Sequence, residues 1–204
     1  MSGFSRKINR EASLRSGLYQ EVRLVMAFIE QQEYQVNRFR DELPSKLQTG
    51  GNGIVIDEMS EVVSVSNIGC HEYDLETTFT QDLPNYIRKS QVVMLWAMLE
   101  DTLSFIVKEL SKEKNIQFRP KKKRESYFIY YIKWFNEIYD IDLTNDSSVC
   151  FLNDNVRKVR NSIAHGAELK VEHDGLSYSA LGIQVSDSYV WEVCMSMNDL
   201  AGRL

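Results

Sequence analysis

The chain has 204 residues, 43% of them hydrophobic, and a net charge of −5 from 24 Lys and Arg against 29 Asp and Glu. That length sets one domain, 1–204, with room for an elaboration, and the composition is that of a globular chain rather than a disordered or fibrous one. The acidic balance excludes a protein that coats nucleic acid by overall charge, although phosphate contact needs only a local basic patch.

No stretch approaches the roughly 20 apolar residues of a membrane span, and the opening MSGFSRKINREAS lacks the apolar core of a secretory signal. A cytoplasmic protein with no membrane partner is the expectation. Cys70, Cys150 and Cys194 form no CxxC pair and suit a reducing compartment. Cys70-His71 comes nearest to a metal site, but two adjacent ligands without a second pair do not make one, so no metal and no cofactor are expected. A hydrolase built on the same pair lacks an oxyanion element and an orienting partner. There is no internal repeat, low-complexity tract or Gly-rich phosphate loop.

In chain order, residues 5–43 predict one long helix. Leu14, Leu18, Val22, Val25, Ile29, Val36, Phe39 and Leu43 keep a three-four rhythm, broken at Gln31-Gln32-Glu33, and Pro44 is expected to stop it. Residues 45–82 then read as an acidic insertion. Gly50-Gly51-Asn52-Gly53 is a flexible break, and Ile54-Val55-Ile56 with Val62-Val63-Ser64-Val65 suggests a small hairpin. Residues 84–112, opened by Pro84, predict a helix apolar around much of its girth, with Val92, Leu95, Met98, Leu99, Leu103, Phe105, Ile106 and Leu110, and hence a central position. Glu100 interrupts it. A carboxylate buried there needs a cationic partner, for which Arg157 and Arg160 are candidates.

Lys121-Lys122-Lys123-Arg124 forms a basic run that reads as a solvated loop in preference to an RNA track. The aromatic stretch 124–140 follows. At helical spacing it predicts packing, with one or two exposed tyrosines left for base contacts. Residues 147–166 predict the most ordered helix, with Val149, Leu152, Val156, Val159 and Ile163 on one face, Ser147 or Ser148 as N-cap and Gly166 as its left-handed end. Beyond it, strands around a turn at Asp174-Gly175 are expected, with His173 solvent-exposed beside that turn. A helix over 187–202 closes the chain, with Tyr189, Val190, Val193, Met197 and Leu200 inward. The fold class is therefore mainly α: a bundle of four to five helices with one or two small β-hairpin insertions.

The 147–166 helix also carries Arg157, Lys158, Arg160, Asn161 and His165 in its last turns. Asn161 and His165 are four apart and share a face, whereas Arg160 and His165 are about 140° apart around the axis. Two copies packed helix against helix could bring each Arg to the partner's His. The helix C-terminus favours a protonated imidazole there. A cation pair with an imidazole that exchanges protons suits a phosphodiester under attack.

Arg160-Asn161-Ser-Ile-Ala-His165 resembles the Arg-x4–6-His motif, with Asn after the Arg, of the HEPN superfamily. The apolar helix interrupted by Glu100 is also similar to a helix of that family. The resemblance implies one helical domain, a homodimer with a composite cleft, and a metal-independent endoribonuclease of toxin–antitoxin or antiphage-defence systems. It implies His165 as general acid/base, Arg160 holding the phosphate, Asn161 orienting the ring or touching the phosphate, Arg157 and Lys158 guiding RNA, and Glu100 supporting a basic residue. An antitoxin or defence-complex protein is an implied further partner. Some members carry, two residues after the His, a Tyr that a partner nucleotidyltransferase modifies; Ala167 stands there, so that form of control is not expected. The rival expectation is a non-catalytic HEPN-like module that binds a partner or nucleic acid.

Overall fold

The computed structural model describes residues 2–49, 54–57, 62–66, 68–117, 119–166, 168, 171–179 and 182–204. Among them five helices build a mainly α bundle with two small antiparallel sheets, as the periodicities predict. Helix α1 is Ser2–Thr49. Strands β1 (Ile54–Asp57), β2 (Val62–Val65) and β3 (Ile68–Gly69) form one sheet in that order. Helix α2 spans Leu75–Lys114. Helix α3 is Tyr127–Tyr139. Helix α4 runs as an α segment Ser147–Phe151, a π segment Leu152–Val156 and an α segment Arg157–His165. Strands β4 (Leu176–Ser179) and β5 (Gly182–Val185) pair as a hairpin, and helix α5 is Asp187–Arg203.

Helix α2 is the axis of the bundle, touching α1, α3, α4 and α5. Val92, Leu95, Trp96, Leu99, Leu103, Ile106, Val107 and Leu110 are all buried along it. Phe105 departs from the expected inward stripe and is 56% exposed, lining an open groove with Gly17, Leu18 and Glu21 of α1. By length and composition α2 is apolar enough to cross a membrane, a property it shares with any helix whose apolar residues are buried in a core, as those just named are.

The polar interruption at Gln31-Gln32-Glu33 forms a paired layer between α1 and α2. Arg88 donates to both carboxylate oxygens of Glu33 at 2.9 Å, and the Gln91 amide donates to Gln32 at 3.0 Å. Buried polar groups are tolerated where they are paired in this way. Buried Asn85 of α2 grips β5 from both sides: its amide donates to the Ile183 carbonyl and its oxygen accepts the Val185 amide.

Several boundaries differ from those expected of the sequence. Pro44 does not stop α1. The helix continues to Thr49, because buried Leu43 and partly buried Leu47 anchor both sides of the proline in a second apolar cluster with Ile54, Val65 and Leu75. Helix α2 starts before Pro84, at Leu75, capped by the Asp74 carboxylate. A π segment, Thr78–Asp82, takes up the hydrogen-bond frame where Pro84 has no amide to give. The acidic insertion is correspondingly shorter than 45–82, and its Gly50–Gly53 break lies outside the described residues. The expected hairpin forms with Ile54 opposite Val65 and gains a third strand.

The second hairpin is displaced. Ser179 pairs with Gly182, so the connection falls at residues 180–181, outside the described residues, rather than at Asp174-Gly175. Gly175 is instead packed against α5. Its carbonyl accepts the Ser186 amide, and a Cβ there would come within 2.7 Å of the Tyr189 Cβ. His173 is likewise packed rather than solvent-exposed. Its Nδ1 accepts the Gly175 amide, its Nε2 donates to Glu192 at 3.0 Å, and its ring sits edge-on to Tyr189.

Candidate functional site

The site is built on α4, whose start is set by Asp146 and not by Ser147 or Ser148. The Asp146 carboxylate accepts the Ser148 and Val149 amides, and Arg203 of α5 pairs with it. A carboxylate reaches two free amides of the first turn more readily than a hydroxyl does. Val149, Leu152, Val156 and Val159 are buried and Ile163 packs against the same core, which fixes the rotation of the helix. The Tyr189 hydroxyl donates to the Asn155 side chain at 2.7 Å and ties α4 to α5. Gly166 ends α4 at φ 63°, its amide bonded to the Ser162 carbonyl.

The π segment ends directly before Arg157. Such a turn widens the helix by one residue and re-aims the side chains of the next turns. Arg157 bends back on it: its Nε donates to the Asn153 carbonyl and side-chain oxygen at 3.2 and 3.3 Å. From there Arg157, Asn161 and His165 come at four-residue spacing and form one row along α4. Arg157 and Asn161 are half-buried, while Lys158 and His165 are exposed on the solvent side.

Arg160 lies on the side turned toward α2. Its Nη1 donates to the Asn161 side-chain oxygen at 3.0 Å, and its buried Nε–H has no hydrogen-bond partner among the described residues. Asn161 therefore holds Arg160 rather than the His165 ring in the single chain. Glu100 is half-buried on α2 within the field of both guanidiniums. Burial raises the Glu100 pKa above the usual carboxylate value, while Arg160, the Trp96 indole and Arg157 pull it back down. The structure thus brings Arg160, Asn161, Arg157 and Glu100 together, and leaves His165 and Lys158 apart from them.

Two residues close to this group were not singled out from sequence. Asn153 holds Arg157, and the Ser126 hydroxyl, which caps α3, reaches Asn153 at 3.4 Å. The four-residue spacing from Asn153 to Arg157 was the signal available for the first. Position 167, where a modifiable Tyr is absent, lies outside the described residues. Cys70 and His71 are exposed in the turn after β3. No group of three or more His, Cys, Asp or Glu among the described residues is arranged to hold a metal ion.

Comparison with protein-family models, with curated proteins and with solved structures finds no match to this chain.

Proposed function

We propose that the chain is a metal-independent endoribonuclease of HEPN type, acting in the cytoplasm as a homodimer and serving as a toxin or antiphage effector. The observation that carries this reading is the arrangement on the last turns of α4. An under-partnered guanidinium at Arg160 is steadied by Asn161 and backed by Glu100, while an exposed imidazole at His165 stands at the helix end.

His165 takes the proton of the ribose 2′-hydroxyl, or returns one to the leaving 5′-oxygen. Arg160 stabilises the extra negative charge on the phosphate as the 2′-oxygen attacks. The products are a 2′,3′-cyclic phosphate and a 5′-hydroxyl, and DNA, lacking the 2′-hydroxyl, is not cut. In one copy Arg160 and His165 face different directions, so the reaction draws them from two copies across a two-fold axis. That same divergence favours the second reading, a non-catalytic module that binds RNA or a partner protein, if no dimer unites the two residues.

The test is cleavage of end-labelled RNA in excess EDTA by wild type, His165→Ala and Arg160→Ala. The expected losses are about 10²–10⁴-fold for His165→Ala and about 10²–10³-fold for Arg160→Ala, with cyclic-phosphate ends on the products. RNA bound but left intact by all three proteins supports the module instead. Cutting that persists in both variants places the activity elsewhere.

A further inference from the structure

The loop before α3 holds Lys122, Lys123 and Arg124, all exposed, and is followed by Tyr127, which is 57% exposed. This loop is not loosely held. Glu125, with only 5% of its side chain exposed, accepts from Arg119 twice, from Lys133 and from the Lys122 amide. Lys121 donates to the Glu125 carbonyl and rests its ammonium over the Tyr127 ring at 4.7 Å. The three basic side chains and the ring are therefore presented from a fixed backbone.

The loop also abuts the candidate site. Ser126, the next residue, touches Asn153, and Asn153 holds Arg157, the first member of the row that continues through Asn161 to His165. From Asn153 to His165 the row is about 18 Å long. Positive charge at one end, a guanidinium midway and an imidazole at the far end suit an extended polyanion. An exposed aromatic ring beside the charges suits an unpaired base.

We infer that the Lys122–Arg124 loop and Tyr127 are a docking subsite for single-stranded RNA, from which the strand runs along the Asn153–Arg157 row of α4 to His165. This rests on the ribonuclease reading for its substrate. Lys122, Lys123 and Arg124 contact backbone phosphates, and Tyr127 stacks a base.

The test uses the full chain carrying His165→Ala, so that binding is read without cleavage, and a labelled unstructured RNA followed by fluorescence anisotropy across a salt series. Adding Lys122→Ala, Lys123→Ala and Arg124→Ala is expected to weaken binding on the order of 100-fold at about 0.1 M salt and to flatten the log–log salt slope by about 2. Tyr127→Ala is expected to weaken binding roughly tenfold, and Tyr127→Phe to leave it unchanged. Arg38→Ala with Arg40→Ala, which flank Phe39 at the second apolar cluster, should leave the slope as it was. In the otherwise wild-type chain the triple substitution should raise KM and spare kcat. RNA binding by the triple variant equal to its parent overturns the subsite and leaves the ribonuclease reading standing. Failure of the parent to bind any RNA overturns both.

Discussion

Glu100 shows how one side chain is held between burial and charge. Burial raises its pKa, and Arg160, Trp96 and Arg157 only partly offset that. An acid with a raised folded-state pKa binds its proton more readily when folded. Its contribution therefore lowers stability as pH rises above the unfolded value, and levels off beyond the folded one. Glu100→Gln is expected to remove this fall, which denaturant unfolding at acid and neutral pH would register as a flatter profile. On the proposed chemistry the same change lets Arg160 drift, lowering cleavage roughly 10- to 100-fold without altering the product ends. Glu125 is the opposite case. Its hydrogen bonds to Arg119, the Lys122 amide and Lys133 hold its carboxyl down to about 2. What it contributes is present above the ordinary carboxylate pKa and is lost as pH falls toward about 2. Glu125→Gln should remove that acid-side dependence and loosen the 121–126 loop, read as faster amide exchange there.

At the scale of elements, the caps and interruptions of the helices make separate predictions. Asp146→Ala removes the acceptor for two amides and the partner of Arg203, and should cost about 1–2 kcal/mol in chemical unfolding. Gly166→Ala forces a side chain into φ 63° and should cost about 1 kcal/mol, although the space beside it is open. Pro44→Ala, in the interior of α1, should raise stability by about 1–3 kcal/mol.

The elements themselves were legible in the sequence wherever a three-four rhythm ran unbroken, as in α4 and α5, because burial of one stripe dominates local preference. The features that were not legible came from tertiary contact. Leu43 and Leu47 carry α1 past Pro44 because a sheet from elsewhere in the chain packs on them. Gly175 looks like a hairpin turn, but its missing side chain serves the close approach of Tyr189. Of the site, the approach of Arg160 and Arg157 to Glu100 was legible from the cost of burying a carboxylate, whereas helix spacing put Asn161 beside His165 and the structure has it holding Arg160. The four-residue spacing to Arg157 was the only local mark of Asn153, and the contact of Ser126 with Asn153, 27 residues apart, is one that no local pattern encodes.

At the scale of the whole molecule, α2 carries the bundle, and the candidate site lies where α4 crosses it. Leu99→Ala, one residue from Glu100 and fully buried, should cost about 2–5 kcal/mol. The largest consequence of the proposed function is that one chain holds half a site, since Arg160 turns toward α2 while His165 stands at the solvent side of the helix end. Arg160→Ala and His165→Ala chains, each inactive when made alone, would be co-expressed to form mixed dimers, and the purified mixture assayed on RNA in EDTA. A shared site predicts that the mixture regains about a quarter of wild-type cleavage, since about half of the dimers are mixed and each carries one intact Arg160–His165 pair. A mixture as inactive as its two components, beside an active wild type, would contradict the shared site.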